Sequence, residues 1–272
     1  MQQELIVEKV KKMKIINSFL TNNDCYKANK KIVVEGLILH SVGCPQPKSS
    51  VFINTWNKPN VEKCVHGFIE PGYIYQTLPW NHRGWHCGGS GNNKYIGVEM
   101  TEPNTIKYTG GSSWVETSGG MNTKNHVLGT YKTAVELFAY LCKEFKLDPL
   151  KDGVILSHSE AHKRGIASNH GDVEHIWTKF GLTMNQFRKD VKAAMTTQTK
   201  LFKVQVGAFS VKNNATNLHE KLKAAGFDTY IVQVGKIYKV QVGAYSVKAN
   251  AEVTIKKLKA AGFDDCFITY QQ

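Results

Sequence analysis

The sequence predicts an α/β protein in two parts, a mixed sheet flanked by helices followed by a smaller βαββαβ unit. Three observations support this prediction. Apolar strands alternate with amphipathic helices along the first part, two of those strands end in histidine, and the second part is a tandem repeat. The 272 residues are 42% hydrophobic and 21% charged, which is enough apolar material for sizeable cores.

The tandem repeat defines the second part. A shift of 36 residues places FKVQVGAFSVKNNATNLHEKLKAAGFDTY, from Phe202, on YKVQVGAYSVKANAEVTIKKLKAAGFDDC, from Tyr238, with 19 of 29 positions identical. Each copy begins with strand-like alternation, continues as an amphipathic helix that ends at Gly226 or Gly262, and finishes with a short strand. Two such copies predict a four-stranded sheet with both helices on one face, which leaves the other face free to bind a ligand.

Short apolar runs predict the strands of the first part. They lie at residues 36–40, 95–100 and 154–156, with a hairpin over 65–76 around Pro71-Gly72. Helices are predicted at 51–56 and 127–145, and a last helix follows a capping box of Thr183 and Gln186 and ends at Met195. The polar stretch 196–200 predicts a linker, so the predicted domains are residues 1–195 and 201–272.

The charge is strongly basic. Lys and Arg outnumber Asp and Glu by 35 to 22, a net charge of +13, so the surface should attract nucleic acid, an anionic membrane or an acidic cell wall. The last 76 residues carry +6 and the first 196 carry +7, which makes the second part about twice as basic per residue.

The apolar segments and the cysteines of the sequence predict where in the cell the protein is made. No apolar run approaches the ~20 residues of a membrane helix, and Glu and Lys interrupt residues 1–20, so neither a membrane span nor a secretory signal is expected. Met13 is a candidate alternative start. The six cysteines form no CxxC pair, which favours reduced thiols in a cytosol over a disulfide framework or a four-cysteine zinc module.

Histidines at strand ends indicate a metal centre. His40 ends one predicted strand and His158 follows another, while Glu99 ends the YIGVE strand. A catalytic zinc needs three N, O or S ligands, an open position for water and a carboxylate to take the proton of that water. Spacing alone leaves open which of the ten histidines bind metal and which are structural.

Four segments in this order resemble a known family. They are GLILHSVGCPQP, VHGFIEPGYIYQTLPWNHRGWHCGG, YIGVEM and LSHSEAHKRGIASNHGD. Together they resemble the type-2 N-acetylmuramoyl-L-alanine amidases, zinc enzymes that include lysozyme-like phage amidases and peptidoglycan recognition proteins, and in particular the endolysins and autolysins of Gram-positive bacteria and their phages. The resemblance covers residues 15–195.

The resemblance implies a site. Zinc would be bound by His40, His158 and Asp172, with Glu99 as the catalytic glutamate. His170 falls where many relatives carry a lysine that stabilises the oxyanion. Because the segment from His158 to Asp172 is longer than in simple members, and a histidine replaces the lysine, His170 stays open as an alternative third ligand.

The resemblance also implies a substrate cleft. Trp85 and His86 match the family's WHxG loop, which lines that cleft. Cys44 and Cys87 are expected in the cleft wall or the core rather than at the metal, and His66 is expected to pack in the interior.

The repeat resembles the SPOR domain through VQVGAFS and VQVGAYS, each followed by a helix ending in KAAGFD. Members of that family bind peptidoglycan glycan strands stripped of stem peptides. Strand alternation places Lys203, Gln205, Lys239 and Gln241 on the open face of the sheet, where glutamine could pair with sugar hydroxyls.

These resemblances imply a zinc hydrolase that cuts the amide between N-acetylmuramic acid and L-alanine and is held on bacterial peptidoglycan by its second domain. A non-catalytic peptidoglycan-binding protein stays open as an alternative. An RRM-like nucleic-acid module is the other alternative, disfavoured because the repeat has Gln and Lys where stacking aromatics belong. Neither nucleic acid nor membrane insertion is expected, no oligomer is implied, and the protein is expected in the cytosol until a holin or lysis releases it to the wall.

Overall fold

The computed structural model describes residues 14–118, 120–196, 202–245 and 248–270. They fall into two compact units, divided after Thr196. Thr196 ends the last helix of the first unit. The rest of the predicted linker, residues 197–200, lies outside the described residues, as does Met13.

The first unit is built on a six-stranded mixed sheet, which confirms the predicted fold class. The sheet order is β1-β4-β3-β5-β2-β8, and all neighbours are parallel except β3 and β4, which form the hairpin predicted around Pro71-Gly72. A separate antiparallel hairpin joins β6 and β7. The strands are β1 (Lys14–Asn17), β2 (Gly36–Ser41), β3 (Gly67–Glu70), β4 (Tyr73–Gln76), β5 (Tyr95–Met100), β6 (Ile106–Gly110), β7 (Ser113–Glu116) and β8 (Ile155–Ser157).

Helices cover both faces of this sheet, as a largely parallel sheet requires. Leu37 and Leu39 of β2 pack in one core with Phe138 and Phe187, whereas Ile38 packs on the opposite face. His40 is two residues beyond Ile38 and so lies on that opposite side. The helices are α1 (Asp24–Ala28), α2 (Ser49–Trp56), α3 (Gly120–Glu144), α4 (His158–Lys163), α5 (Glu174–Trp177) and α6 (Met184–Thr196).

Two local predictions need correction. Helix α3 begins at Gly120, seven residues before the predicted start, because its first two turns are polar and carry little apolar periodicity. The predicted capping box of α6 is half formed. The Thr183 hydroxyl accepts a hydrogen bond from the backbone N–H of Gln186 at 3.1 Å, but the Gln186 side chain donates to Asp190 instead.

The second unit has the predicted βαββαβ order and an antiparallel sheet in the order β10-β11-β9-β12. Both helices pack on one face, where Val204 and Val242 meet Leu222 and Leu258. Gly226 and Gly262 follow the helices with φ of 84° and 85°, the left-handed conformation expected at helix ends. The elements are β9 (Phe202–Phe209), α7 (Lys212–Ala224), β10 (Thr229–Val234), β11 (Ile237–Tyr245), α8 (Lys248–Ala260) and β12 (Phe267–Tyr270).

The face opposite these helices carries a row of four side chains across the sheet. Gln241 pairs with Gln205 at its centre, Tyr230 lies beside Gln241, and Phe267 lies beside Gln205. The glutamines lie on the predicted helix-free face, but they are only 5% and 7% exposed. They lie on the two central strands, where larger side chains flank them on both sides.

Two further observations concern the whole chain. No helix within the described ranges has the length and apolar character needed to cross a membrane. All six cysteines are unbridged, and Cys25, Cys64, Cys87 and Cys142 are buried.

One buried amide holds the segment between α2 and β3. Asn23 is fully buried, and its side-chain oxygen caps α1 by accepting from the N–H of Cys25 at 2.9 Å. Its amide nitrogen donates to the carbonyls of Trp56 at 2.9 Å and Lys63 at 3.0 Å. A single side chain therefore satisfies backbone groups on two separate elements.

We expect Asn23→Ala to lower the free energy of unfolding by about 2–4 kcal/mol, because it removes a helix cap and leaves buried carbonyls without donors. Urea denaturation measures the change. Asn22→Ala is the matched control, since the Asn22 side chain is exposed and its own backbone N–H keeps its bond to Asn57. A loss for Asn23→Ala no larger than that of Asn22→Ala would contradict the assignment.

Candidate metal centre and cleft

Parallel strand pairing brings the predicted site residues to one edge of the sheet. His40 pairs directly with Glu99 across β2 and β5, and Leu39 pairs with Ser157 at the end of β8. Ser157 then forms a capping box with Glu160, with both reciprocal bonds at 3.1 Å, so that His158 becomes the first residue of α4. The strand ends therefore place His40, Glu99 and His158 side by side.

Three side chains converge tightly enough to hold one metal ion. Nδ1 of His40 lies 3.0 Å from Nδ1 of His158 and 3.4 Å from Oδ2 of Asp172, and the His158 and Asp172 atoms are 3.7 Å apart. A tetrahedral zinc with bonds of about 2.0–2.2 Å separates its ligand atoms by about 3.3–3.6 Å. The two imidazoles and the carboxylate, a donor set that zinc accepts, therefore fit the ion in both chemistry and spacing.

Asp172, the third member of this group, lies on the loop after α4, close to the end of β2. The N–H of Ser159 donates to the carbonyl of Asp172 at 3.1 Å, and the N–H of Ser41 approaches its Oδ2 at 3.4 Å. His170 lies differently, with its Nδ1 3.3 Å from Nε2 of His158, the ring nitrogen opposite the three-atom group. Across the described ranges, His40, His158 and Asp172 form the one such cluster. The geometry favours Asp172 over His170, and the ligand assignment stays a prediction.

Burial and charge prepare the group to bind a cation. Burial, followed by the charge of His40, lowers the pKa of His158 to about 4, so that this imidazole is neutral at pH 7. Burial opposes ionisation of Asp172, but its hydrogen bond to His40 and the charges of His40 and His158 together outweigh burial and lower the pKa of the carboxyl. Burial alone would lower the pKa of His40, yet the hydrogen bond to Asp172 and the charge of Glu99 raise it. The anionic Asp172 thus holds positive charge at this point.

Glu99 has the environment of a proton acceptor. Burial raises the pKa of its carboxyl to about 8, with a smaller opposing effect from His40. Its Oε2 is buried without a hydrogen-bond partner among the residues described. A buried carboxylate with a free oxygen beside a metal group is suited to take a proton from water.

A cleft of about 500 Å³ opens over this group. The predicted residues Trp85 and His170 line it, and Trp85 is 40% exposed. Sequence reasoning missed other lining residues, among them Trp56, Glu62, Lys63 and Ser168. Ser168 could have been identified from the sequence, because it lies in the His158–Asp172 segment. In the structure its hydroxyl contacts Nε2 of His158 at 3.3 Å. Trp56 ends the predicted helix 51–56, and Glu62 and Lys63 follow it in a stretch without a periodic signal.

The remaining predicted residues lie behind the cleft surface. His86 borders the cleft, but its two ring nitrogens contact His40 and the carbonyl of Tyr95. Burial, followed by the charge of His40, lowers the pKa of His86 well below its usual value, so the ring is neutral. Cys87 is fully buried, Cys44 is half-buried, and neither belongs to the three-residue group.

A second buried network supports the loop that carries Asp172. The Tyr108 hydroxyl donates to Oε2 of Glu102 at 2.7 Å and lies 2.6 Å from Nε2 of His175. Glu102 also accepts from the N–H of Gly43 at 2.9 Å. The network joins the β6–β7 hairpin, the loop after β2 and helix α5, all of which border Asp172.

We expect the free energy of unfolding of the metal-free wild-type protein to fall between pH 5 and pH 8 when it is compared with that of metal-free Glu99→Gln. The folded pKa of Glu99 lies above its unfolded value, so its contribution is fully present at low pH and is lost as the pH rises through about 8. The stability gap between the two proteins should change by about 1 kcal/mol or more over this range. Urea denaturation in the presence of a chelator measures it, and a pH-independent gap would show that Glu99 is not desolvated.

Comparison with known proteins follows the division into two units. The model of the N-acetylmuramoyl-L-alanine amidase family matches residues 29–173, and that of the SPOR domain matches residues 198–269. The N-acetylmuramoyl-L-alanine amidase CwlH of Bacillus subtilis strain 168 is 42% identical over 48 residues, which span 16% of this chain and 19% of that protein.

Two solved structures show further similarity. The hydrolase AmiA of Staphylococcus aureus, solved with its ligand, has a TM-score of 0.50 at 15% identity, covering 69% of this chain and 85% of that chain, a similarity in fold. The peptidoglycan-binding domain of the B. subtilis cell wall lytic enzyme CwlC is 42% identical, covering 28% of this chain and 96% of that chain, with a TM-score of 0.26. With a family match over more than half of its length, the chain belongs to the N-acetylmuramoyl-L-alanine amidase family and carries a SPOR domain after the amidase region.

Proposed function

We propose that the protein is a zinc-dependent peptidoglycan amidase that cleaves the bond between N-acetylmuramic acid and L-alanine. The observation that carries the proposal is the group formed by His40, His158 and Asp172, whose ligand atoms lie 3.0–3.7 Å apart beside Glu99 in an open cleft. Family membership supplies the substrate class, and the geometry supplies a place for the metal.

The proposed metal ligands and Glu99 have separate roles in the reaction. His40, His158 and Asp172 would hold the zinc ion, which would supply Lewis acidity to the water and to the amide carbonyl. Glu99 accepts the proton of the attacking water at its free carboxylate oxygen and delivers it to the nitrogen of the leaving L-alanine. The raised pKa of Glu99 suits it to both transfers, because a group that titrates near the working pH can accept and return a proton.

Two exposed residues complete the proposed cleft. His170 is exposed and lines the cleft, so it can donate a hydrogen bond to the developing oxyanion in place of the lysine of many relatives. Trp85 offers an exposed apolar ring to the face of a sugar. Both roles are proposals that rest on position.

The SPOR domain is proposed to keep the enzyme on its insoluble polymer by raising the local substrate concentration. Its ligand would be glycan freed of stem peptide, which is the product of the amidase. The central glutamines, Gln205 and Gln241, lie side by side on the helix-free face, with Lys203 and Lys239 on the same face. In this row the two central strands carry glutamine and the aromatic rings, Tyr230 and Phe267, lie on the edge strands. An RNA-recognition module instead stacks bases on aromatics of its central strands, which favours glycan as the ligand.

Digestion of Gram-positive cell wall tests the proposed reaction. Wild-type enzyme is expected to release new L-alanine amino termini without new reducing sugars. Glu99→Gln should retain zinc yet lose about 10²-fold or more in rate, because the water loses its proton acceptor. Chelation of zinc should abolish the release.

The control for the digestion is Glu116→Gln, which alters an exposed carboxylate on β7 and should leave the rate unchanged. New reducing ends would identify a glycosidase and contradict the proposal. Full activity of Glu99→Gln would show that another group is the base.

Sedimentation with insoluble wall tests the SPOR domain. In the full-length Glu99→Gln protein, replacing Gln205 and Gln241 by alanine should weaken binding to amidase-treated wall about tenfold or more, because two paired polar contacts are lost. Gln233→Ala is the matched control, since Gln233 is exposed on the edge strand β10. Binding to RNA that is tighter than binding to treated wall would favour the nucleic-acid alternative.

A further inference from the structure

We propose that His86 is a positioning residue, which orients the zinc ligand His40 by accepting the hydrogen of its outer ring nitrogen. The inference rests on the proposed zinc function and assigns His86 to the support of the metal site rather than to substrate binding.

A chain of two hydrogen bonds leads away from the metal group. Nε2 of His40 lies 3.0 Å from Nδ1 of His86, and Nε2 of His86 lies 3.1 Å from the carbonyl oxygen of Tyr95. The rings of His40 and His86 meet edge to face, at 75° and 5.2 Å between centroids. Both nitrogens of His86 are therefore engaged inside the protein.

The carbonyl at the end of the chain fixes the direction of every hydrogen. A carbonyl oxygen can only accept, so Nε2 of His86 carries the hydrogen of that bond. When Nδ1 of His40 binds the ion, the ring hydrogen of His40 lies on Nε2, so Nε2 of His40 is the donor and Nδ1 of His86 is the acceptor. His86 thereby favours the tautomer of His40 whose Nδ1 lone pair faces the ion, in place of the Nδ1–H that bonds Asp172 when no metal is bound.

The position of the His86 ring is built into β5. A Cβ atom at Gly97 would overlap the imidazole of His86, so the ring lies in space left by that glycine. The backbone N–H of His86 donates to Oδ1 of Asn92 at 2.9 Å, and Asn92 is buried. The WH and IG pairs of the sequence, eleven residues apart, thus fit each other at the metal site.

His86 takes the place of the partner that a metal-binding histidine usually has for its second ring nitrogen. Metal-binding histidines usually donate their second N–H to a carboxylate, a carbonyl or water, and loss of that partner weakens metal binding by 10–100-fold. Here the partner is a neutral imidazole, which orients His40 without adding a negative charge beside Glu99.

Zinc affinity of the full chain tests the inference, measured by competition with a chromogenic chelator. His86→Ala is expected to bind zinc about 10–100-fold more weakly than wild type. His86→Gln, whose amide oxygen can accept the same hydrogen, should recover much of that loss. His126→Ala is the matched control, because His126 is also a half-buried histidine but bonds Thr101 instead of a metal-binding residue.

A spectroscopic measurement separates positioning from general stability. In the zinc-loaded protein, the Nε2 hydrogen of His40 should exchange slowly with solvent in wild type and faster in His86→Ala, as followed by NMR. Zinc binding by His86→Ala within about threefold of wild type would overturn the inference and leave the proposed function standing, as would an equal loss in His126→Ala. Failure of the wild-type chain itself to bind zinc would overturn the proposed function.

Discussion

The parallel pairing of β2 with β5 and β8 is the constraint on which the rest of the site depends. Parallel strands end at the same edge, so His40, Glu99 and His158 arrive together without long loops. Both faces of β2 are buried, which fixes its register, because a shift of one residue would turn His40 into the α3–α6 core. The hydrophobic core thus sets the position of the metal group.

Asp172 reaches this edge by a different route. It lies on a loop rather than a strand, and its position depends on backbone contacts with Ser41 and Ser159 and on the nearby Glu102–Tyr108–His175 network. Two of the three proposed ligands lie on rigid elements and one lies on a braced loop, so the proposed site is largely formed in advance, which would lower the ordering cost of binding an ion.

The sequence predicted what depends on local periodicity and missed what depends on contacts between distant side chains. Apolar runs located β2 to β5 and β8 but not β1, β6 or β7. The histidines at strand ends indicated a metal centre, and the family resemblance added Asp172. The polar first turns of α3 carried too weak a pattern to be found. The burial of Gln205 and Gln241 was missed because alternation predicts which face a residue occupies, whereas the size of its neighbours determines its exposure. The contact of His86 with His40 spans 46 residues and leaves no local signal in the sequence.

The hydrogen bonds of Asn23 bear on which residues around the cleft can change in sequence. Asn23 holds the segment from Trp56 to Lys63 through main-chain carbonyls, which every amino acid possesses. The path of this wall of the cleft is therefore largely independent of the side chains it displays, including Glu62 and Lys63. Substitutions there can change the side chains that this wall presents to the cleft while the path of the main chain stays intact, so this short stretch tolerates changes in sequence that the buried strands do not.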